Sequence, residues 1–347
     1  YTGNTTVSSG VIRLGRSSTV TSGAVTNGAL GRGNLTLSSG AGLDLAGFTL
    51  ANAVSAGGSG VSSGGAIFNS TTTAATLSGA LTLTGATTIN ANAGDLTISG
   101  AVNGAFSLGI SSTDKAVTLS GAVGASAAPT SLTLNAGAGN VTLSNTLSVA
   151  GPVSVTGGRI DLSNDVTVST NAQLRLIASK DIVAAAGVDL STQGGHILLS
   201  ANSDGVAGGG IAMTGATVRS NGGNITMGGG TDGSGYAEGS AESAFGARYR
   251  GLWLDQTTID ASGSGANGNV VIRGRGWQGA DWVSSVASDY AIGVDIVTNT
   301  VVRTGGAGTV LIDGIGGKNN RADSHGVGIN LFNGLQIRTD AGSITMT

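Results

Sequence analysis

An apolar residue, one intervening residue and a second apolar residue recur every six to nine positions through the middle of the chain, and this spacing limits what it can fold into. The triplets run Leu132/Leu134, Val141/Leu143, Leu147/Val149, Val153/Val155, Ile160/Leu162, Val166/Val168, Leu174/Leu176, Val188/Leu190 and Ile197/Leu199. Only Ile182-Val183 breaks the alternation. Each triplet predicts a short strand with one face in and one face out, because strand side chains alternate with period two. The separators are Gly, Asn, Ser, Thr and Asp, which accept turns and left-handed backbone. Hairpins at every step would need recurrent Asn-Gly or Asp-Gly tips, and those are scarce. The remaining solution is a coil of about three strands per circuit, each pairing with its equivalent one circuit on at about 4.8 Å. The expectation is therefore an all-β right-handed parallel β-helix, a three-sided solenoid with about 20 residues per rung, roughly 14 to 16 rungs and roughly 70 Å of length.

The C-terminal part displays the rung as four alignable copies, 209–229, 251–276, 293–317 and 328–347. Their expected inward residues are Ile211, Val218 and Ile225, then Leu252, Ile259 and Val270, then Val294, Val302 and Val310, then Ile329, Ile337 and Ile344. Stacked, these make three aliphatic files, and each buried side chain contributes roughly 1.5–3 kcal/mol. The copies are separated by inserts at about 230–250, 275–291 and 316–327, all leaving the coil at one corner. The inserts hold half the aromatic residues of the chain. With Trp253 on the neighbouring strand, they supply the candidate ligand-binding residues Tyr236, Tyr249, Trp253, Trp277, Trp282 and Tyr290, since per-repeat inserts on one face commonly carry binding surface. The competing expectation is that these residues only pack on one another. Outward positions place Arg219, Asp260, Arg303 and Arg338 in one row and Arg273 and Asp313 in another, read as structural charge ladders.

Composition narrows the function. Charged residues make up 10% and aromatics 3%, with 63 glycines, two prolines, no cysteine and a net charge of −3. The mean hydropathy of +0.23 opposes a solvated disordered chain. Glycine without a strict period of three, and almost no proline, exclude collagen. A weakly acidic chain without a basic block is not expected to bind nucleic acid. The lack of cysteine fits export to an oxidising exterior. Tyr1 follows no leader-like segment and residues 342–347 read as an interrupted strand, so both ends are expected to be cuts in something longer.

No catalytic pattern emerges. A β-helical glycosidase or lyase needs clustered carboxylates with a base or a metal, whereas no Asp-Asp pair occurs and Asp161, Asp165, Asp181, Asp189 and Asp204 sit where turns explain them. Gly229-Gly230-Thr231-Asp232 fails the calcium nonapeptide spacing, and His196 and His325 have no cysteine to form a zinc set. No enzyme, cofactor or metal is expected.

The four copies, with their G-apolar-x-apolar, apolar-[RD]-[STA] and G-[NTS]-apolar-x-apolar pattern, resemble the β-helical repeat region of filamentous-haemagglutinin-like exoproteins of two-partner secretion. Residues 1–15 resemble the repeat of autotransporter passengers. The likeness is dense over 77–347 and looser over 1–76. The chain has neither an Asn-Pro secretion motif nor an outer-membrane barrel pattern. The expected division is irregular rungs over 1–76, a regular shaft over 77–208 and an insert-bearing coil over 209–347. What the resemblance implies is a non-catalytic adhesin shaft at a bacterial cell surface or secreted from it. Its expected partners are a surface glycan or protein, an outer-membrane transporter during export, and further copies of itself end to end.

Overall fold

The computed structural model describes residues 1–206, 208–240, 249–264, 267–278, 291–317 and 326–347. The chain forms two units, Tyr1–Gly157 and Gly158–Thr347. Both are parallel β-helices, in which short strands pair in register with their equivalents one turn on.

In the first unit Thr49–Leu50, Ala75–Leu77, Leu96–Ile98, Val117–Leu119 and Val141–Leu143 form one parallel file. A second runs through Leu35, Val54, Leu81, Val102, Val123 and Leu147. A third carries Leu108, Leu132 and Val153. Ala75, Leu96 and Val117 are successive partners, so a rung takes about 20 residues, the length at which short strands and polar turns close one circuit. One element departs from this plan. Thr19–Thr21 and Ala24–Asn27 make an antiparallel hairpin, turned at Ser22 and Gly23 with φ of 51° and 78°. Paired left-handed residues are what a two-residue hairpin turn requires, and Ser-Gly supplies them without the Asn-Gly signature.

In the second unit the three aliphatic files stand as the sequence predicts. Ile160, Ile182, Ile211, Leu252, Val294 and Ile329 are stacked partners on the first face. Val166, Leu190, Val218, Ile259, Val302 and Ile337 follow one another on the second. The third holds Leu174, Ile197, Ile225, Val270, Val310 and Ile344. Within these files, every residue before the last rung is essentially inaccessible to solvent. The break at Ile182-Val183 does not disturb the strand: Ile182 and Ala184 point in and Val183 points out.

From the second rung of this unit onward a glycine, Gly195, Gly223, Gly268, Gly308 and Gly342, opens the third strand, and it has a packing reason. At Gly268 a Cβ would lie 2.0 Å from the carbonyl oxygen of Gly223, and at Gly342 it would lie 1.9 Å from that of Gly308. The rungs nest so closely here that no side chain fits between them. A hydroxyl at or just past the end of the second strand fixes the carbonyl of this glycine: Thr192 Oγ1 donates to Gly195 O at 2.6 Å, Thr304 Oγ1 to Gly308 O at 2.8 Å and Thr339 Oγ1 to Gly342 O at 2.8 Å. The residue after the glycine completes the corner. Asn224 N donates to His196 Nδ1, Asn269 N to Asn224 Oδ1 and Thr309 N to Asn269 Oδ1, all within 2.8–2.9 Å. Each side chain thus accepts the backbone N–H of the following rung, satisfying a donor at a turn where no strand partner is available.

Candidate functional site

The outward surface of the second unit carries two kinds of feature, charged ladders and an apolar groove. On the second face Asp260 lies between Arg219 and Arg303, its in-register neighbours. Asp260 Oδ2 accepts from Arg303 Nη2 at 2.6 Å and lies 3.6 Å from Arg219 Nε, while Oδ1 takes the Ser262 N–H at 3.0 Å. Burial raises the Asp260 carboxyl, but the hydrogen bonds from Arg303 and Ser262 and the Arg303 charge outweigh it and hold the group below the ordinary carboxylate range. On the third face Arg273 Nε is 3.7 Å from Asp313 Oδ2. On the first face Arg250 Nε donates to Asp295 Oδ2 at 2.7 Å, and Asn330 Nδ2 donates to Oδ1 at 2.7 Å.

Several of the turn aspartates are likewise acceptors for backbone. Asp181 Oδ1 takes the Gly210 N–H at 2.8 Å, Asp165 Oδ1 that of Asp189 at 2.9 Å and Asp204 Oδ1 that of Val206 at 3.1 Å. Among the described residues no three His, Cys, Asp or Glu side chains are grouped so as to hold a metal ion.

Of the six aromatic candidates, Trp282 and Tyr290 lie outside the described residues. Tyr236 belongs to a packed network: its Oη donates to Asp313 Oδ2 at 2.7 Å and the Arg275 guanidinium lies over its ring, 5.0 Å from the centroid. That hydrogen bond to a carboxylate, followed by burial, raises the Tyr236 phenol above its usual 10.0. Arg275 also lies 3.6 Å from Glu238, and the strand Ala237–Glu238 pairs in parallel with Gly274 and Arg275. Tyr249, at φ 67°, accepts the Trp277 N–H at its carbonyl oxygen at 3.0 Å, and the Trp277 indole N–H is buried without a partner among the described residues. These residues fasten the insert necks to the third face.

Trp253 is placed differently. It lies on the outside of the first face, in a row of register partners that runs Asp161, Val183, Ala212, Trp253, Asp295 and Asn330. Between Asp161 and Trp253 the row holds only Val183 and Ala212, and a groove of about 420 Å³ opens there beside Trp253. Ala185 and Ala186 extend its floor, with Asp161, Ser163 and Thr214 at its edges. Tyr236, Tyr249 and Trp277 take no part in it. The sequence signal for this groove is the break in alternation: Ile182-Val183-Ala184-Ala185-Ala186 and Ile211-Ala212-Met213 put apolar residues on the outward positions as well. In the first unit a groove of about 450 Å³ has a hydroxyl-rich lining that includes Ser59, Thr88, Ser107, Ser131 and Thr133.

Comparison with known protein families, with curated proteins and with solved structures finds no significant match to the chain.

Proposed function

We propose that this chain is a non-catalytic, structural and adhesive segment of a large bacterial cell-surface or secreted fibre, of the filamentous-haemagglutinin-like or autotransporter type. The observation that carries the reading is the exact register of successive rungs, Ile211 on Leu252 on Val294 on Ile329 and their counterparts on the other two faces. A coil of this kind grows by adding turns, each of which buries its aliphatic residues against its neighbour, so its natural use is as a long scaffold. The absence of cysteine is in keeping with a life outside the cell. The carboxylates described above are engaged by arginines, hydroxyls and turn N–H groups, roles that hold a surface together. In this reading the partners are a glycan or protein of a neighbouring surface, an outer-membrane transporter during export, and further copies stacked end to end.

The test combines electron microscopy of the purified chain over a concentration series with cell-surface labelling of the producing bacterium and a binding assay of chain-coated beads on host cells. Elongated particles, external labelling and retained beads are expected. Compact particles, labelling confined to the interior, or release of reducing ends from a polysaccharide panel overturns the reading.

A further inference from the structure

We infer that the groove beside Trp253 is a binding site for a pyranose glycan. The inference narrows the adhesive reading above, which gives a glycan or protein of a neighbouring surface as partner but places no contact surface, and it is argued from the geometry of the first face.

The groove exists because two consecutive rungs present small outward residues. Val183 and Ala212 stand where Asp161 and Trp253 stand on the flanking rungs, so the floor is bounded at one end by a charged group and at the other by an indole. Three rung spacings separate those boundaries, about 14 Å at about 4.8 Å per rung. With a volume of about 420 Å³ the groove falls in the range of small-ligand sites.

Its chemistry is divided by position. The floor side chains, Val183, Ala185, Ala186 and Ala212, offer only C–H groups, and the backbone of the strands Ile182–Ala184 and Ile211–Thr214 that carry Val183 and Ala212 is paired in the parallel ladder. Polar groups stand only at the edges. Asp161 Oδ1 accepts from Arg159 Nε at 2.9 Å and lies 2.6 Å from its Nη2; both contacts fall on Oδ1, so Oδ2 can accept from a ligand. Ser163 and Thr214 add hydroxyls that both donate and accept. A matching ligand has an apolar face and a polar perimeter. A pyranose has this form: its axial C–H groups pack on an indole and on methyls, and its equatorial hydroxyls point outward to the rim. An acyl chain or a leucine-like side chain of a partner protein fits the floor less well overall, since it would cover the Asp161 carboxylate and two hydroxyls without bonding them, and each group left unpaired carries a desolvation cost. The same floor disfavours a phosphate or sulfate, because the guanidinium beside it already serves Asp161.

The test is a glycan array of neutral hexose- and N-acetylhexosamine-terminated oligosaccharides, followed by calorimetric titration of the strongest glycan. The probes are the whole chain, Trp253→Ala, Ala185→Tyr and a remote control, Phe106→Ser. Trp253→Ala removes the indole, whereas Ala185→Tyr leaves Trp253 in place and fills the floor, and circular dichroism checks that each variant keeps its β signal. The expected result is retention of at least one glycan, weakened tenfold or more by both groove variants and unchanged by Phe106→Ser. An array that retains no glycan, or glycan binding that both groove variants leave intact, overturns the inference. So does binding of a periodate-treated cell-surface protein equal to that of the untreated one.

Discussion

Arg303 Nη2 sits 2.6 Å from Asp260 Oδ2, a carboxylate that is almost wholly buried although it projects from the outward side of its strand. The pair joins adjacent rungs, and Arg219 approaches the same oxygen from the opposite side. Charge here does what the aliphatic files do inside, holding one turn of the coil to the next.

Asp260→Asn is therefore expected to destabilise the second unit at neutral pH by about 1–3 kcal/mol, through weakened charge-assisted hydrogen bonds and two arginines left facing one another. The folded Asp260 carboxyl titrates below its ordinary 3.8, so its stabilising contribution is present above that pH and is lost as pH falls through the lower folded value. Thermal melts of both proteins at pH 7 and pH 3 check this: the gap between them should narrow in acid.

Asp189 has the opposite sign. Burial raises its carboxyl, Arg219 opposes that and the nearby Asp165 charge reinforces it, while Oδ1 is buried without a partner. The folded state binds this proton more tightly than the unfolded chain does. Its contribution is thus most favourable below 3.8 and declines as pH rises through the raised folded value. Asp189→Asn should raise the melting temperature slightly at pH 7 and leave it unchanged at pH 3. A fall at pH 7 would contradict the assignment.

Gly268→Ala places a methyl 2.0 Å from the Gly223 carbonyl oxygen, so backbone must move. A loss of about 1–3 kcal/mol or more is expected from overpacking. Gly15→Ala, with nothing within 4 Å of its added Cβ, is the matched control and should be near neutral. Denaturant titration of the pair separates close approach from any general effect of removing glycine.

Ile259→Ala opens a cavity between Val218 and Val302, its partners in the second file. The expected cost is about 2–5 kcal/mol. Because each rung touches chiefly its neighbours, hydrogen exchange should speed most at the strands Thr217–Arg219, Thr258–Asp260 and Val301–Arg303 and little in the first unit. Uniform acceleration across both units would show that the coil melts as one body.

The inward files were legible because burial imposes period two and the turn residues impose the rung length; Ile211, Leu252, Val294 and Ile329 could be aligned by eye. The charge ladders followed once that alignment was in hand, since Arg219, Asp260 and Arg303 share one position. Less could be read where a residue answers to a neighbour rather than to its own strand. The Gly223 and Gly268 corner depends on how closely two backbones approach, which no local pattern records. The hairpin at Ser22 and Gly23 used a tip outside the expected dipeptides. Tyr236 and Trp253 looked alike as aromatic candidates, yet one is held by Arg275 and Asp313 and the other borders a groove created by small side chains on the two preceding rungs.

The insert necks carry a wider consequence. At the corner between the third and first faces, glycine stands against glycine: a Cβ at Gly274 would lie 2.1 Å from the Gly293 oxygen, and one at Gly314 would lie 2.2 Å from that of Gly328. Outgoing and returning chain pass each other there at backbone distance, so an insert leaves the register of the neighbouring turns, Leu252 on Val294 and Val270 on Val310, undisturbed. An external loop can then be altered at this corner without any change to the frame that carries it.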